Sequence, residues 1–352
     1  MELKQLLEIA SQFELEGEIA SVKTLGEGFI NDTFIVEMCG DSPRYILQKK
    51  NKNIFRNIPG MMDNILAVTN HLKAKISSCG GDPLRETLTL IPLKNEPQKY
   101  YTIYDDEYWC VTLFIEESIT YQSADTLELA EQGGRGIAKF QALLSDFTEP
   151  LVDTLPGFHN IKFRFQQWDA SLAADPKNRV SQVQDLISEI ENRREEMLEF
   201  YKLIENGTIP RRITHNDTKI SNILFDKNDN VLCVIDLDTV LSAPCLYDFG
   251  DSIRSYTNTG AEDDPNLENV SMNRQIYEAY LKGYLSEADK FLTEIEKKYL
   301  PFSAKYITFE QVLRFLMDYI DGDTYYKIKY PEHNLIRAKA QLKLLQSIEE
   351  SI

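Results

Sequence analysis

Apolar positions recur at strand spacing in the first third of this chain and at helix spacing afterwards. MELKQLLEIASQF at the start has the spacing of an amphipathic helix. Residues 19–25, 35–38 and 44–50 predict three strands, the first two joined by a glycine-containing turn. A helix is expected over 61–77 and a break over 78–83. Strands follow over 88–92 and 109–115, around a turn at Asp105-Asp106. From Ser123 the spacing is helical, over 125–144 and again over 182–204, where Asn206-Gly207 and Pro210 end the second run. Gly133, Gly134 and Gly136 fall inside the first of these helices, where each costs stability, so close packing against another backbone is expected. One stretch interrupts the helices: 214–238, an apolar hairpin turning at 226–230. The pattern predicts an α+β chain of two lobes. Residues 1–115 form an N-terminal antiparallel-sheet lobe, 116–352 a larger, mainly helical lobe, and Glu116-Glu117-Ser118 the hinge.

Composition narrows the partners. The chain has 352 residues, enough for two lobes sharing a cleft, and 43% apolar content, ordinary for a globular protein. Its 38 basic and 56 acidic residues leave a net charge of −18, which disfavours nucleic acid and anionic lipid as partners. A nucleotide would need local Lys or Arg and a divalent cation. Five cysteines without a C-x-x-C pair and four histidines make a zinc site or a disulfide framework unexpected. No run approaches the roughly eighteen apolar residues of a membrane span. A soluble, reduced, cytoplasmic protein is the expectation.

The chemistry concentrates in the hairpin. His215-x-Asp217, Asn222 after four intervening residues, and Asp236-Leu237-Asp238 after an apolar run have the spacing that phosphoryl transfer uses for one base and two magnesium ligands. Asp217 is the candidate base and Lys219 the candidate neutraliser of phosphoryl charge. Asn222 and Asp236 are the candidate Mg²⁺ ligands. Any one of them alone reads as an ordinary loop residue; the set in register does not. His215 reads as a structural hydrogen-bonder. Asp248-Phe249-Gly250 spells a metal motif but lies past Pro244, so Asp248 and Asp251 read as braces or caps. Asp238 is either a second metal ligand or a brace.

For the nucleotide, the turn after the first strand offers Gly26, Gly28, Asn31 and Thr33, although G-x-G between strands is often a plain hairpin turn. No Walker loop or Rossmann fingerprint is present. On the third strand Gln48 and Lys49 compete for the phosphate-lysine position, and Lys49 would face the other side of a regular strand. Backbone groups near Phe114, Ile115 and Glu116 are candidates for an adenine ring.

With Tyr247-Asp248-x-Gly250-Asp251 added, the H-x-D-x4-N and I-D-x-D series resembles the aminoglycoside phosphotransferase and choline kinase-like superfamily, with its bilobal protein-kinase-like fold. The block from Arg314 to Asn334, RFLMDYIDGDTYYKIKYPEHN, is similar to that of bacterial N-acetylhexosamine 1-kinases. That resemblance implies ATP- and Mg²⁺-dependent phosphorylation of GlcNAc or GalNAc at the anomeric hydroxyl. Asp217 would be the base facing that hydroxyl, and Arg314 and Tyr325 sugar-site residues. Taken alone, Arg314 reads as a helix-surface partner of Asp318 at i+4 and Tyr325 as a core aromatic. Other acceptors within the superfamily are choline, homoserine and aminoglycosides. A nucleotide-binding pseudokinase is the remaining alternative.

Overall fold

The structure is a computed structural model and describes residues 2–25 and 31–352. Gly26 and Gly28 therefore lie outside the described residues. The sheet comprises β1 (Ile19–Thr24), β2 (Asp32–Met38), β3 (Tyr45–Lys50), β4 (Thr102–Tyr104) and β5 (Glu107–Leu113), in the order β1-β2-β3-β5-β4, every pair antiparallel. Strand alternation separates its faces. Tyr45 and Leu47 on β3, with Val36, Trp109 and Val111, bury against Leu6, Ile9 and Phe13 in and after helix α1 (Leu3–Ala10). Ile46, Gln48 and Lys50, opposite Thr112, Cys110 and Tyr108, lie on the other face.

Asp105 and Asp106 both take left-handed backbone (φ 54° and 61°), as a two-residue hairpin requires, so the turn lies where expected. The strand before it is β4, however, and residues 88–92 form no regular strand. They touch β5 through one bridge, Leu90 to Thr112, flanked by Ile91 N–H to Val111 O at 2.9 Å and Leu113 N–H to Thr89 O at 2.9 Å. Pro92 has no N–H with which to continue the ladder.

Helix α2 (Ile58–Ser78) starts three residues before the expected position, because Asn57 caps it by accepting the Gly60 N–H. The short α3 (Pro83–Glu86) follows. The second lobe contains α4 (Leu127–Leu143), α5 (Ile161–Ala174), α6 (Gln184–Glu205), α7 (Cys245–Tyr256), α8 (Arg274–Ala288), α9 (Glu294–Asp321) and α10 (His333–Ser351). Set among them are β6 (Arg212–Thr214), β7 (Ile223–Phe225), β8 (Val231–Val234) and β9 (Leu241–Ala243), where β6 pairs with β9 and β7 with β8. This is the mixed α+β arrangement expected from the pattern, with an N-terminal antiparallel sheet and helices after it. Among the described residues no helix is long and apolar enough to cross a membrane.

Of the three α4 glycines, Gly134 meets backbone. A Cβ there would lie 2.2 Å from Tyr280 O on α8, and one on Gly283 would lie 1.9 Å from Glu131 O on α4. Gly133 and Gly136 instead face the side chains of Tyr256 and Val231. Gly283→Ala should therefore lower unfolding stability by about 1–3 kcal/mol in urea titrations, despite the roughly 1 kcal/mol that alanine gains in helix propensity. A variant as stable as the parent would show that α4 and α8 pack less closely.

Candidate active site

The loop from β6 to β7 carries His215, Asp217, Lys219 and Asn222, and the helical lobe holds it from beneath. Asp248 on α7 accepts the backbone N–H of His215 (3.0 Å) and of Asn216 (2.7 Å), and Gln141 Nε2 donates to it at 2.8 Å. Asp251 accepts the Thr218 N–H at 2.8 Å while pairing with Arg254. Both aspartates sit under the loop as braces. His215 donates from Nε2 to Ile235 O at 2.8 Å and accepts the Asp217 N–H on Nδ1 at 3.2 Å, which makes it the neutral Nε2–H tautomer and ties the loop to β8.

Above this base the carboxylates converge. Asp217 Oδ2 receives Lys219 Nζ and Asn222 Nδ2, each at 3.0 Å. Burial pushes the Asp217 carboxyl up, but the Lys219 ammonium outweighs it and holds the group below the ordinary range. Lys219 is itself pushed down by burial and raised further by Asp217 and Asp236, so it stays charged. Asp236 is the opposite case. Burial, Asp238 and Asp217 push its carboxyl up to about 6, and among the described residues no hydrogen-bond donor reaches it. It takes left-handed backbone (φ 61°) at the end of β8, where Ile235 N–H bonds to Asn222 O at 2.9 Å and sets the two residues side by side. Asn222 spends its Nδ2 on Asp217, and its amide oxygen is the end left to ligate. A carboxylate short of positive charge beside an amide oxygen suits a hard cation such as Mg²⁺. Among the described residues no three His, Cys, Asp or Glu side chains form a metal cage.

Asp238 is fully engaged across the lobes. Asn31 Nδ2 donates to one of its oxygens at 2.7 Å and Lys50 Nζ to the other at 2.7 Å. This geometry corresponds to the brace among its two sequence readings. The cleft-facing lysine is thus Lys50, which lies on the face that Gln48 shares. Lys49 points away and pairs with Asp32 at 2.6 Å. Gln48 accepts from Lys50 at 2.9 Å and reaches Thr33 at 3.4 Å. Period-two alternation, the rule that set Lys49 on the far side, returns Lys50 to the cleft. Burial pushes Lys50 down, and Asp238 more than offsets it, keeping the ammonium charged.

At the hinge the Phe114 N–H is bonded to Arg44 O at 3.0 Å, and so is not open to a ligand. Arg44 lies 4.3 Å from the Phe114 ring and forks onto Glu116 at 2.9 and 2.5 Å. Ile115 packs on Leu224 and Cys233 of the hairpin. Ile119 and Phe225 exchange both backbone hydrogen bonds, at 2.8 and 2.9 Å.

Arg314, on α9, does not pair with Asp318. That carboxylate instead accepts the N–H groups of Thr324, Tyr325 and Tyr326 and shapes the loop after α9. The Arg314 guanidinium sits 5.5–5.7 Å from the rings of Phe158, Tyr325 and Tyr326, and Tyr325 is 54% exposed, not a core aromatic. Beneath lies a cluster that no sequence signal marked. Glu310, one turn before Arg314, binds Arg164 Nε at 3.3 Å and His159 Nδ1 at 2.6 Å, and His159 Nε2 reaches Asn216 O at 3.3 Å. Its partners lie 146 and 151 residues away along the chain, beyond any local pattern. His333, whose Nε2 meets Asp263 at 2.8 Å, is the first residue of α10.

A five-stranded sheet hinged to a helical lobe, with this hairpin at the junction, is the architecture of a phosphotransferase. Residues 21–289 match the phosphotransferase enzyme family, and the chain belongs to that family. Among solved structures it is similar to a choline kinase from Cryptosporidium parvum Iowa II (14% identity, 99% of this chain and 96% of that one, TM-score 0.59). It is similar also to spectinomycin phosphotransferase APH(9)-Ia in complex with ADP and spectinomycin (15%, 100% and 98%, 0.58). A third is the aminoglycoside phosphotransferase of Alicyclobacillus acidocaldarius (11%, 97% and 95%, 0.59). At these identities the likeness is one of fold.

The Glu310 cluster carries a pH signature. Burial pushes this carboxyl up, but His159 and Arg164 pull it to about 2 from an ordinary 4.5. A depressed folded-state value adds stability above the unfolded value, and that stability is lost as pH falls from about 4.5 through about 2. The difference corresponds to about 3 kcal/mol. Urea unfolding of the parent and Glu310→Gln should differ by that order at pH 6 and by less than half of it at pH 3. An equal gap at both values would remove the ionised cluster.

Proposed function

We propose that this phosphotransferase uses ATP to phosphorylate the anomeric hydroxyl of an N-acetylhexosamine, GlcNAc or GalNAc, giving the sugar 1-phosphate and ADP. The observation that carries the acceptor class is the charge around Arg314. Two buried or half-buried guanidinium groups, Arg164 and Arg314, share the single Glu310 carboxylate. Choline or an aminoglycoside would bring further positive charge to that surface. A neutral sugar brings hydroxyls and an amide carbonyl for the Arg314 fork, and a flat face for the Tyr325 ring. Nucleotide use is supported by the family and by the ADP bound to the spectinomycin enzyme.

In this reading Asp217, ionised and fixed by Lys219 and Asn222, orients the acceptor hydroxyl and accepts its proton as the new O–P bond forms. A carboxylate held this low is a weak base, so positioning and charge neutralisation lower the barrier more than proton removal does. Lys219 and Lys50 face the phosphoryl oxygens. Asn222 and Asp236 would hold Mg²⁺, which when bound neutralises phosphate charge. A module that binds nucleotide without turnover gains nothing from Lys49, because Lys50 supplies a buried, charged lysine to the cleft.

ADP release measured against GlcNAc, GalNAc, glucose, galactose, choline and kanamycin tests the acceptor. N-acetylhexosamines should have the highest kcat/KM, with 1-phosphate as product. Turnover confined to choline or kanamycin would overturn the sugar reading and leave the phosphotransferase intact. Asp217→Asn should keep ATP affinity within about twofold and lower kcat by roughly two to four orders of magnitude; near-normal turnover would remove Asp217 as the base.

A further inference from the structure

The surroundings of His159 determine its charge. It is buried, with 3% exposure, and takes left-handed backbone (φ 54°) in the loop before α5. Its ring lies between Phe158 (4.1 Å between centroids) and Tyr247 (5.2 Å). Tyr306 donates its hydroxyl to the His159 carbonyl at 2.9 Å. These contacts leave the imidazole one orientation and two partners. Nδ1 meets the Glu310 carboxylate at 2.6 Å, and Nε2 meets the Asn216 carbonyl at 3.3 Å.

A carbonyl only accepts, and an ionised carboxylate only accepts, so a neutral imidazole could satisfy just one of them. The lone pair on its other nitrogen would then face an oxygen lone pair inside the protein, where an unmade bond is costly. Of the groups facing the ring, the Glu310 carboxylate and the Asn216 carbonyl favour a positive charge, while the Arg164 and Arg314 guanidinium groups oppose it. Glu310 on α9 is the carboxylate; Arg164 on α5 and Arg314 on α9 flank it; α7 presents the Tyr247 ring. From the loop comes the Asn216 carbonyl, one residue before Asp217.

Asn216 is strained in the left-handed region (φ 66°), and its N–H is held by Asp248. Its carbonyl belongs to the next peptide, whose N–H, on Asp217, donates to His215 Nδ1. We propose that His159 is a doubly protonated positioning residue that grips the Asn216 carbonyl from the acceptor side and so fixes Asp217. Through Glu310 the same imidazolium belongs to the cluster that carries Arg164 and Arg314, joining the acceptor pocket to the catalytic loop. The proposal rests on Asp217 being the catalytic base. It does not depend on which acceptor is used.

Loss of one proton leaves Nδ1–H on Glu310 and turns the Nε2 lone pair onto the Asn216 oxygen. The peptide is released on one side, and Asp217 loses its alignment while nucleotide contacts stay in place. The kcat of the parent should therefore fall on the basic side of its pH profile. In His159→Gln that limb should be absent and kcat roughly 10- to 100-fold lower at pH 7, with KM for ATP within about twofold.

Histidine-selective ¹⁵N NMR on the full chain reads the charge directly and needs no acceptor. Of the four histidines, the one missing from His159→Gln should show both ring nitrogens at imidazolium shifts at pH 7. It should become neutral at the pH of the kcat limb. Should that variant fail to fold, Glu310→Gln in the same experiment should move both transitions to lower pH. A singly protonated ring at pH 7, or a basic limb unchanged in both variants, overturns the proposal. An imidazolium signal in a protein that phosphorylates none of the acceptors would instead count against the proposed function alone.

Discussion

A carboxylate with no access to solvent holds the loop from β6 to β7 in shape. Asp248 takes two consecutive backbone N–H groups from His215 and Asn216, and those bonds offset part of the cost that burial imposes on its charge. Without them the loop would have unpaired amides in the interior and no reason to adopt the left-handed turn at Asn216. Asp251 repeats the arrangement at Thr218, backed by Arg254. The side chains of the loop thus stand on a backbone whose donors at His215, Asn216 and Thr218 are satisfied from below.

Charge sorts the aspartates that crowd this region. Asp217 has Lys219, and Asp238 has Lys50 and Asn31, so both have local compensation. Asp236 accepts no hydrogen bond among the described residues, and burial together with Asp238 and Asp217 raises its carboxyl more than Lys50 and Lys219 lower it. Environment alone therefore gives three chemically identical side chains three different states: one carboxylate lowered beside a lysine, one bound across the lobes, and one raised by burial and like charge. The overall charge of −18 makes the local placement of Lys50, Lys219, Arg164 and Arg314 more consequential.

Much of this was legible in the sequence, because hairpin spacing and strand alternation are local. The Asp217, Asn222 and Asp236 spacing is carried by a short motif and a hairpin, the Asp105-Asp106 turn by its residue pair, and the two lobes by apolar periods of two and 3.6. Lys50 was legible in principle, since it shares a face with Gln48, but a choice between Gln48 and Lys49 passed over it. Residues 88–92 looked like a strand from composition, and Pro92 limited them to a single bridge. The Glu310, His159 and Arg164 cluster had no local signal, because it is assembled by the packing of α9 against α5 and the loop before it. Gly134 showed itself as a glycine in a helix, but its partner on α8 could not be named without the fold.

The pairing of Ile119 with Phe225 bears on how the cleft can open. The strip of chain leaving β5 is stitched into the same small sheet as the hairpin that bears Asn222 and Asp236. A swing of the five-stranded sheet must therefore pivot upstream of Ile119. The backbone bonds fix the span from Ile119 to the hairpin, whereas the sheet meets Asp238 through the side chains of Lys50 and Asn31. The protein carries a ruler of constant length along one wall of the cleft and a clasp across its mouth.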